Sequence, residues 1–437
     1  MKNTPILKFV HNIVFTIFTL LIILPAVSFA NEYDSVNYYE ANNIIHKENI
    51  KTVLFHRKGW DLSPALMKFN SGEKLLLSFD DMDADGKEYM FTIVHCDANW
   101  KPSDLEQYEY IDGYYEDYIY EFQYSINTIV SYTHYELIFP TYDLKPKLSG
   151  NYMMKVFVEN QDSLFFTRKF KIVDQKVNIE GRIKQATNIA DKKYKQEVDF
   201  EITSPGYQIV NPYRDLNVVI EQNGRWDNSI RNLKPKMVVG QTLDYNYDFE
   251  NVFDGGNEFR TFDIKSLNYY TENIARIDYN FDGYQITLKP DEKTTFKNYK
   301  TEDDINGQLK IKTEDQDLTE LSSEYVKVHF YLPLNAPLID GDIFIVGAIT
   351  DWNFSEHSRM TYDYNQKGYV KTMLVKQGYY NYQYMLKYFD QDVADVSYIE
   401  GNHWETGNEY TISVYYREPG DNYDRLVGVT HLLSWEE

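Results

Sequence analysis

The stretch Phe166-Thr167-Arg168-Lys169-Phe170-Lys171-Ile172 puts Phe166, Phe170 and Ile172 on one parity and Thr167, Lys169 and Lys171 on the other. A two-residue period marks a strand with one buried face, because successive side chains leave a pleated backbone on opposite sides. The pattern recurs. Within 325–331, Val326, Val328 and Phe330 oppose Lys327 and His329. Within 380–387, Tyr380, Tyr382, Tyr384 and Leu386 alternate with Asn381, Gln383, Met385 and Lys387. Further strands are predicted at 75–79, 89–95, 135–139, 152–158, 218–222, 343–346 and 411–416. Asp85-Gly86, Ser149-Gly150, Asn223-Gly224, Asp254-Gly255-Gly256, Asp282-Gly283 and Asn306-Gly307 separate them as turn signals. Helical periodicity is scarce, and 40 Tyr with 25 Phe suit half-buried pleated surfaces. The expected class is all-β, with tandem immunoglobulin-like β-sandwich domains.

Two places read as boundaries. Asp174-Gln175-Lys176 lies between a finishing and a starting strand, as in sandwiches joined by a short hinge. The polar run from Lys312 through Asp317 to Ser323 has no period. The expected division is an N-terminal β-sandwich at 31–175, a middle β-domain at 176–320 and a C-terminal immunoglobulin-like domain at 321–437. The tail after Tyr416, with Pro419-Gly420 inside it, reads as loop. Residues 1–30 read as a secretory signal peptide: Lys2 and Lys8 precede an apolar run over 13–27, and Ser28-Phe29-Ala30 offers small residues for cleavage after Ala30. The apolar run is too short for the ~20 residues of a spanning helix. No cysteine near the cut offers a lipid anchor. The expected mature protein is exported.

The chain carries 67 acidic and 44 basic side chains, a formal charge of −23. Such a surplus repels phosphate backbones and anionic headgroups, so nucleic acid and lipid surfaces are not expected partners. One cysteine, Cys96, excludes an internal disulfide, a zinc cluster or an iron–sulfur site built from cysteines.

Asp81-Met82-Asp83-Ala84-Asp85-Gly86 matches the first half of a calcium loop, which makes Asp81, Asp83 and Asp85 the metal candidates. Position 12 is Thr92, where a bidentate glutamate belongs, so the segment reads as a solvated hairpin turn and no metal is expected. The histidines are scattered singly and no His-Glu-x-x-His occurs. His95-Cys96-Asp97 ends an aromatic-rich strand, where a buried, inert thiol is expected. No nucleophile elbow, phosphate-cradling loop or nucleotide fingerprint is present. No catalytic residue, cofactor or small-molecule substrate is expected. Tryptophans beside polar turns do recur, in His56-Arg57-Lys58-Gly59-Trp60, Asn223-Gly224-Arg225-Trp226-Asp227 and Asn402-His403-Trp404. They suit either loop anchoring or a binding surface.

Longer phrases carry a resemblance. His95-Cys96-Asp97-Ala98-Asn99-Trp100-Lys101-Pro102, Tyr110-Ile111-Asp112-Gly113 and Tyr132-Thr133-His134-Tyr135 occur in order in the first domain. Gln222-Asn223-Gly224-Arg225-Trp226-Asp227-Asn228 and Val252-Phe253-Asp254-Gly255-Gly256-Asn257-Glu258-Phe259-Arg260 lie in the second, and Gly378-Tyr379-Tyr380-Asn381-Tyr382-Gln383-Tyr384 in the third. The chain resembles the type IX secretion system plug protein family of Bacteroidota over almost its whole mature length. The resemblance implies a non-catalytic periplasmic protein at the inner face of the outer membrane. There it would close the mouth of the giant translocon barrel of the SprA type when no substrate is passing. That family has no assigned catalytic residues. From aromatic-plus-turn composition, Trp226, Phe253, Phe259, Arg260 and Trp404 are the candidate partner-contacting residues.

A second resemblance covers Val346-Gly347-Ala348-Ile349-Thr350-Asp351-Trp352-Asn353 and Gly378 to Tyr384, and is to the immunoglobulin-like starch- and glycogen-binding modules. Trp352 matches a sugar-stacking aromatic of those modules; the lysine expected near Tyr384 and a second platform tryptophan are absent. The alternative functions are therefore a carbohydrate-binding surface protein and a structural periplasmic adaptor of the same secretion system.

Overall fold

Aromatic and β-branched strands with little helical propensity build three β-sandwiches in the computed structural model, which describes residues 43–314 and 319–435. The expected signal peptide and part of the acidic boundary at 312–323 lie outside these residues. No helix among the described residues is long and apolar enough to cross a membrane.

In the first sandwich one sheet runs in the order β1 (Ile50–Arg57), β3 (Leu75–Asp81), β8 (Thr133–Phe139), β7 (Glu121–Tyr124). The facing sheet is β2 (Leu66–Lys68), β11 (Leu164–Val173), β10 (Gly150–Val158), β4 (Tyr89–Cys96), β6 (Asp117–Tyr118). A two-stranded ribbon, β5 (Ile111–Gly113) with β9 (Leu144–Pro146), closes one end. Alternate residues point between the sheets and make an aromatic core, in which Phe79 stacks on Tyr135 at 5.0 Å and meets Phe166 edge-on at 4.9 Å. Such pairs contribute about 0.5–1.5 kcal/mol each beyond their burial.

The second sandwich packs β12 (Asn178–Gln185), β13 (Lys195–Thr203), β17 (Thr242–Asp244) and β16 (Met237–Val239), with β18 (Val252–Asp254) also on β13, against a second sheet. That sheet is β15 (Arg225–Leu233), β14 (Leu216–Gln222), β28 (Glu409–Tyr416), β29 (Arg425–Leu433). The third has β27 (Gly378–Tyr388) flanked by β19 (Arg260–Asp263), β22 (Leu309–Ile311) and β24 (Gly341–Val346). Its partner sheet is β20 (Ile274–Asn280), β21 (Gly283–Leu288), β23 (Tyr325–Pro333), β26 (Gly368–Lys376), β25 (Thr361–Asp363). Strand β27 is central and buried on both faces, so Met385 and Gln383 are as enclosed as Tyr382 and Tyr384.

These pairings correct the division expected at 320/321. Strand β28 pairs with β14 along its whole length, from Leu216↔Tyr416 to Gln222↔Tyr410, and Tyr410, Ile412, Val414 and Tyr416 complete the core of the second sandwich. The third sandwich is an insertion in the second. Chain enters and leaves it side by side: the Gly256 N–H donates to Asn402 Oδ1 (2.8 Å) and the His403 N–H to the Gly256 carbonyl (2.8 Å). A Cβ on Gly255 would sit 2.0 Å from the His403 carbonyl oxygen, so the glycine pair allows the two crossings to touch. The tail expected to be loop contains β29, whose register with β28 breaks at a bulge between Val414 and Tyr415. That bulge blurs the two-residue period in the sequence.

Candidate functional site: seams and a docking surface

The Asp174-Gln175-Lys176 joint is pinned. The Asp174 N–H donates to the Leu426 carbonyl (3.0 Å) and the Lys176 N–H to that of Val427 (2.8 Å). Around it the first and second sandwiches share an apolar patch of Ala98, Val173, Val219, Tyr415 and Leu426. Polar groups buried in the same seam find partners across it. Tyr415 OH donates to Asn151 Oδ1 (2.8 Å), the Ala98 N–H to Asp424 Oδ2 (2.9 Å), and Lys171 pairs with Glu221.

The seam between the first and third sandwiches centres on Asp80 of β3, which is fully buried. Its Oδ2 accepts from Lys376 Nζ (2.6 Å) and Tyr325 OH (2.6 Å), both from the third sandwich, and its Oδ1 is 2.6 Å from His134 Nδ1. Burial alone raises the Asp80 carboxyl; the Lys376 ammonium and the His134 hydrogen bond outweigh it and hold the group below the usual carboxylate range. Burial likewise lowers His134, but the hydrogen bond to Asp80 and the Glu136 carboxylate 3.5 Å from its Nε2 leave it above its ordinary value. Nearby, the Glu324 carboxylate accepts the N–H groups of Ile129 (2.5 Å) and Val130 (3.0 Å), and Arg168 reaches Asp351 (3.1 Å). Buried charges hold only where partners satisfy them, so these pairs fix one arrangement of the sandwiches.

Most of the residues singled out from sequence are taken up inside the molecule. Trp226 meets Trp100 edge-on at 6.4 Å, with Lys169 Nζ 5.2 Å from its ring, in the seam between the first two sandwiches. Phe253 is buried in the second core. Phe259 is buried against Trp352, ring centroids 5.9 Å apart. Arg260 is enclosed by Glu400 (2.8 Å) and Asp291 (2.9 Å). Phe253, Phe259 and Arg260 are thus corrected from surface contacts to internal ties, since the sandwiches bury glycine-flanked turns that composition alone reads as exposed. Trp404 is half-buried, its N–H on the Lys193 carbonyl (3.2 Å). Trp352 packs its ring over Gly307, where a Cβ would lie 2.4 Å from it, so the indole is an internal wedge and not a free sugar platform.

Asp81, Asp83 and Asp85 do converge. The expected hairpin is corrected: β3 and β4 belong to facing sheets, so the segment arches between them, and Asp81 is buried. A lysine ammonium stands at the centre, with Lys87 Nζ 2.6 Å from Asp81 Oδ2, 2.5 Å from Asp83 Oδ2 and 3.3 Å from Asp85 Oδ1. Burial disfavours that charge, but the three carboxylates raise the lysine above its ordinary value. Cys96 is buried, and burial pushes its thiol up to about 12. His95 turns to the opposite face of the strand, onto Ser103 Oγ (2.9 Å), so the two do not form a catalytic pair.

One surface was not singled out from sequence. Along the open side of the first sandwich, Tyr114, Tyr115, Tyr118, Tyr120, Phe122 and Tyr124 are exposed, Tyr120 at 72% and Tyr124 at 56%. So many exposed aromatic side chains within eleven residues of sequence are uncommon on a globular domain and suit a contact surface. The signal that could have found it is the absence of any lysine or arginine between Lys101 and Lys145.

The profile of the type 9 secretion system plug protein 1st domain matches residues 50–174, the whole of the first sandwich. A solved structure of a hypothetical protein from Parabacteroides merdae is 32% identical, covers 90% of this chain and 99% of its own length, and superposes with a TM-score of 0.87. The chain belongs to the type 9 secretion system plug family. The Parabacteroides merdae relative shares the all-β architecture of this plug-family chain across its three sandwiches. The C-terminal domain of the Streptococcus pyogenes antigen I/II-family protein AspA aligns at 7% identity with a TM-score of 0.15, which carries no argument. No curated protein matches the chain.

Proposed function

We propose that this protein is a non-catalytic periplasmic plug that closes the inner mouth of the type IX translocon barrel when no substrate occupies it. The observation that carries the reading is a first sandwich matching the plug profile, tied to the other two by buried ion pairs. A steric seal needs a fixed shape, and sandwiches locked at their seams keep one. A compact body of roughly 390 residues is about 55 Å across. A barrel at the large end of the known range, with roughly 36 strands, is about 70 Å between opposite walls. A body of that width fills more than half of such an opening, whereas a lone sandwich of roughly 140 residues, about 37 Å across, would leave most of it open.

A plug acts by occupancy, so it must bind the empty translocon more tightly than the loaded one. Tagged barrel purified from cells depleted of secretion substrates should bring this protein down near one to one, and barrel with trapped substrate should carry less. Deleting the gene should make cells sensitive to large, normally excluded antibiotics. Equal recovery with empty and loaded barrel, with permeability unchanged on deletion, would replace the plug by a structural adaptor.

A further inference from the structure

We infer that the free edge of β7 takes up an extended, basic polypeptide segment as an added strand. Strand β7 is the last in its sheet and pairs only with β8, from Glu121↔Glu136 to Tyr124↔Thr133. The Ser125 N–H donates to the Tyr132 carbonyl (2.9 Å), which sets the phase of the ladder. Alternate residues of an antiparallel strand turn their backbone groups to opposite sides, so those of Glu121 and Gln123 face β8 and those of Phe122 and Tyr124 face outward.

Natural sheets blunt such edges with lysine, proline or a covering element. Glu121-Phe122-Gln123-Tyr124 has none of the first two, and Phe122 and Tyr124 are exposed. The electrostatics point to the charge of the occupant. Glu121 stands directly opposite Glu136 in the register, and like charges at that position repel. Among the described residues no lysine or arginine is within ion-pair distance of either; His134 approaches Glu136, at 3.5 Å, and Lys58 and His56 act on Glu136 from farther off, while none of these is paired with Glu121. Phe122 and Tyr124 lean on Gly86, which lies between Asp85 and Lys87; Lys87 pairs with Asp81, Asp83 and Asp85, and three carboxylates against one ammonium leave that arch net negative. A segment that alternates basic with apolar residues fits both sides of the edge. Lysine or arginine would lie beside Glu121 and Glu136, and apolar side chains beside Phe122 and Tyr124. The inference rests on the plug reading only for where that segment comes from, namely the secretion machinery.

The test titrates a labelled peptide of alternating lysine and valine into the full mature chain by fluorescence anisotropy. A peptide of equal charge with prolines replacing valines cannot complete the ladder and should bind about tenfold more weakly. A glutamate-for-lysine peptide should not bind. Glu121→Lys should weaken the lysine–valine peptide at least as much without lowering the melting temperature, while Glu180→Lys on a distant strand should leave it unchanged. Hydrogen exchange should slow in the fragment holding Phe122 and Tyr124 on binding. Equal binding of the proline peptide, or of Glu121→Lys, or unchanged exchange there, overturns the inference. In cells, wild type and Glu121→Lys recovered equally with empty barrel would sink the edge and leave the plug reading standing. Wild type absent from the barrel would sink the plug reading, while the peptide titration still decides the edge.

Discussion

Replacing Lys376 by methionine keeps most of the side-chain volume and leaves the Asp80 carboxylate buried between Tyr325 and His134 with no ammonium beside it. Removing one partner of a buried ion pair costs about 3–5 kcal/mol, because the remaining charge is uncompensated. The thermal consequence depends on what unfolds together. At roughly 2.1 cal/mol/K per residue, a body of about 390 residues has an unfolding entropy near 0.8 kcal/mol/K, and a loss of ~4 kcal/mol lowers its melting temperature by about 5 °C. If the third sandwich of roughly 140 residues separates on its own, the same loss moves its transition by about 14 °C. Calorimetry of Lys376→Met distinguishes the two, and a single transition is expected from seams tied by Asp80, Arg168 and Lys171. The double variant Asp80→Asn with Lys376→Met removes both charges, so it should be less destabilised than the sum of the single variants by about 2 kcal/mol. Additive losses, or a Lys376→Met shift below about 1 °C, would refute the seam as an energetic tie.

Three further outcomes follow from the same geometry. His134 is raised above its ordinary 6.5 in the fold, so its charged form adds stability that is fully present below that pH and is lost as pH rises through the higher folded value. His134→Gln should flatten the fall in melting temperature above pH 6.5, and an unchanged slope would contradict its tie to Asp80. Millimolar calcium or chelator should leave the melting temperature unchanged, since the Lys87 ammonium occupies the centre of the acidic arch; in Lys87→Ala calcium should become stabilising, by differential scanning fluorimetry. Cys96, buried and with its thiol near 12, should resist iodoacetamide in the native protein at pH 8 and react fully in urea, by intact mass.

Local pattern determined much of this protein. The period-two runs at Phe166, Val326 and Tyr380 became β11, β23 and β27, because alternation is a property of the strand itself and needs no knowledge of what covers it. Turn residues placed most breaks for the same local reason. Tertiary structure decided which strand pairs with which. Nothing near Tyr410 announces that it completes the core around Val218, nearly two hundred residues away, since pairing depends on the faces two strands must jointly bury. The same holds for the candidate surface. Phe253, Phe259 and Arg260 look like turn-borne contacts in sequence but are consumed by core packing and internal ion pairs. The exposed edge at Phe122 and Tyr124 emerges only because β7 ends its sheet with half its backbone groups unpaired, a fact of topology that composition does not encode.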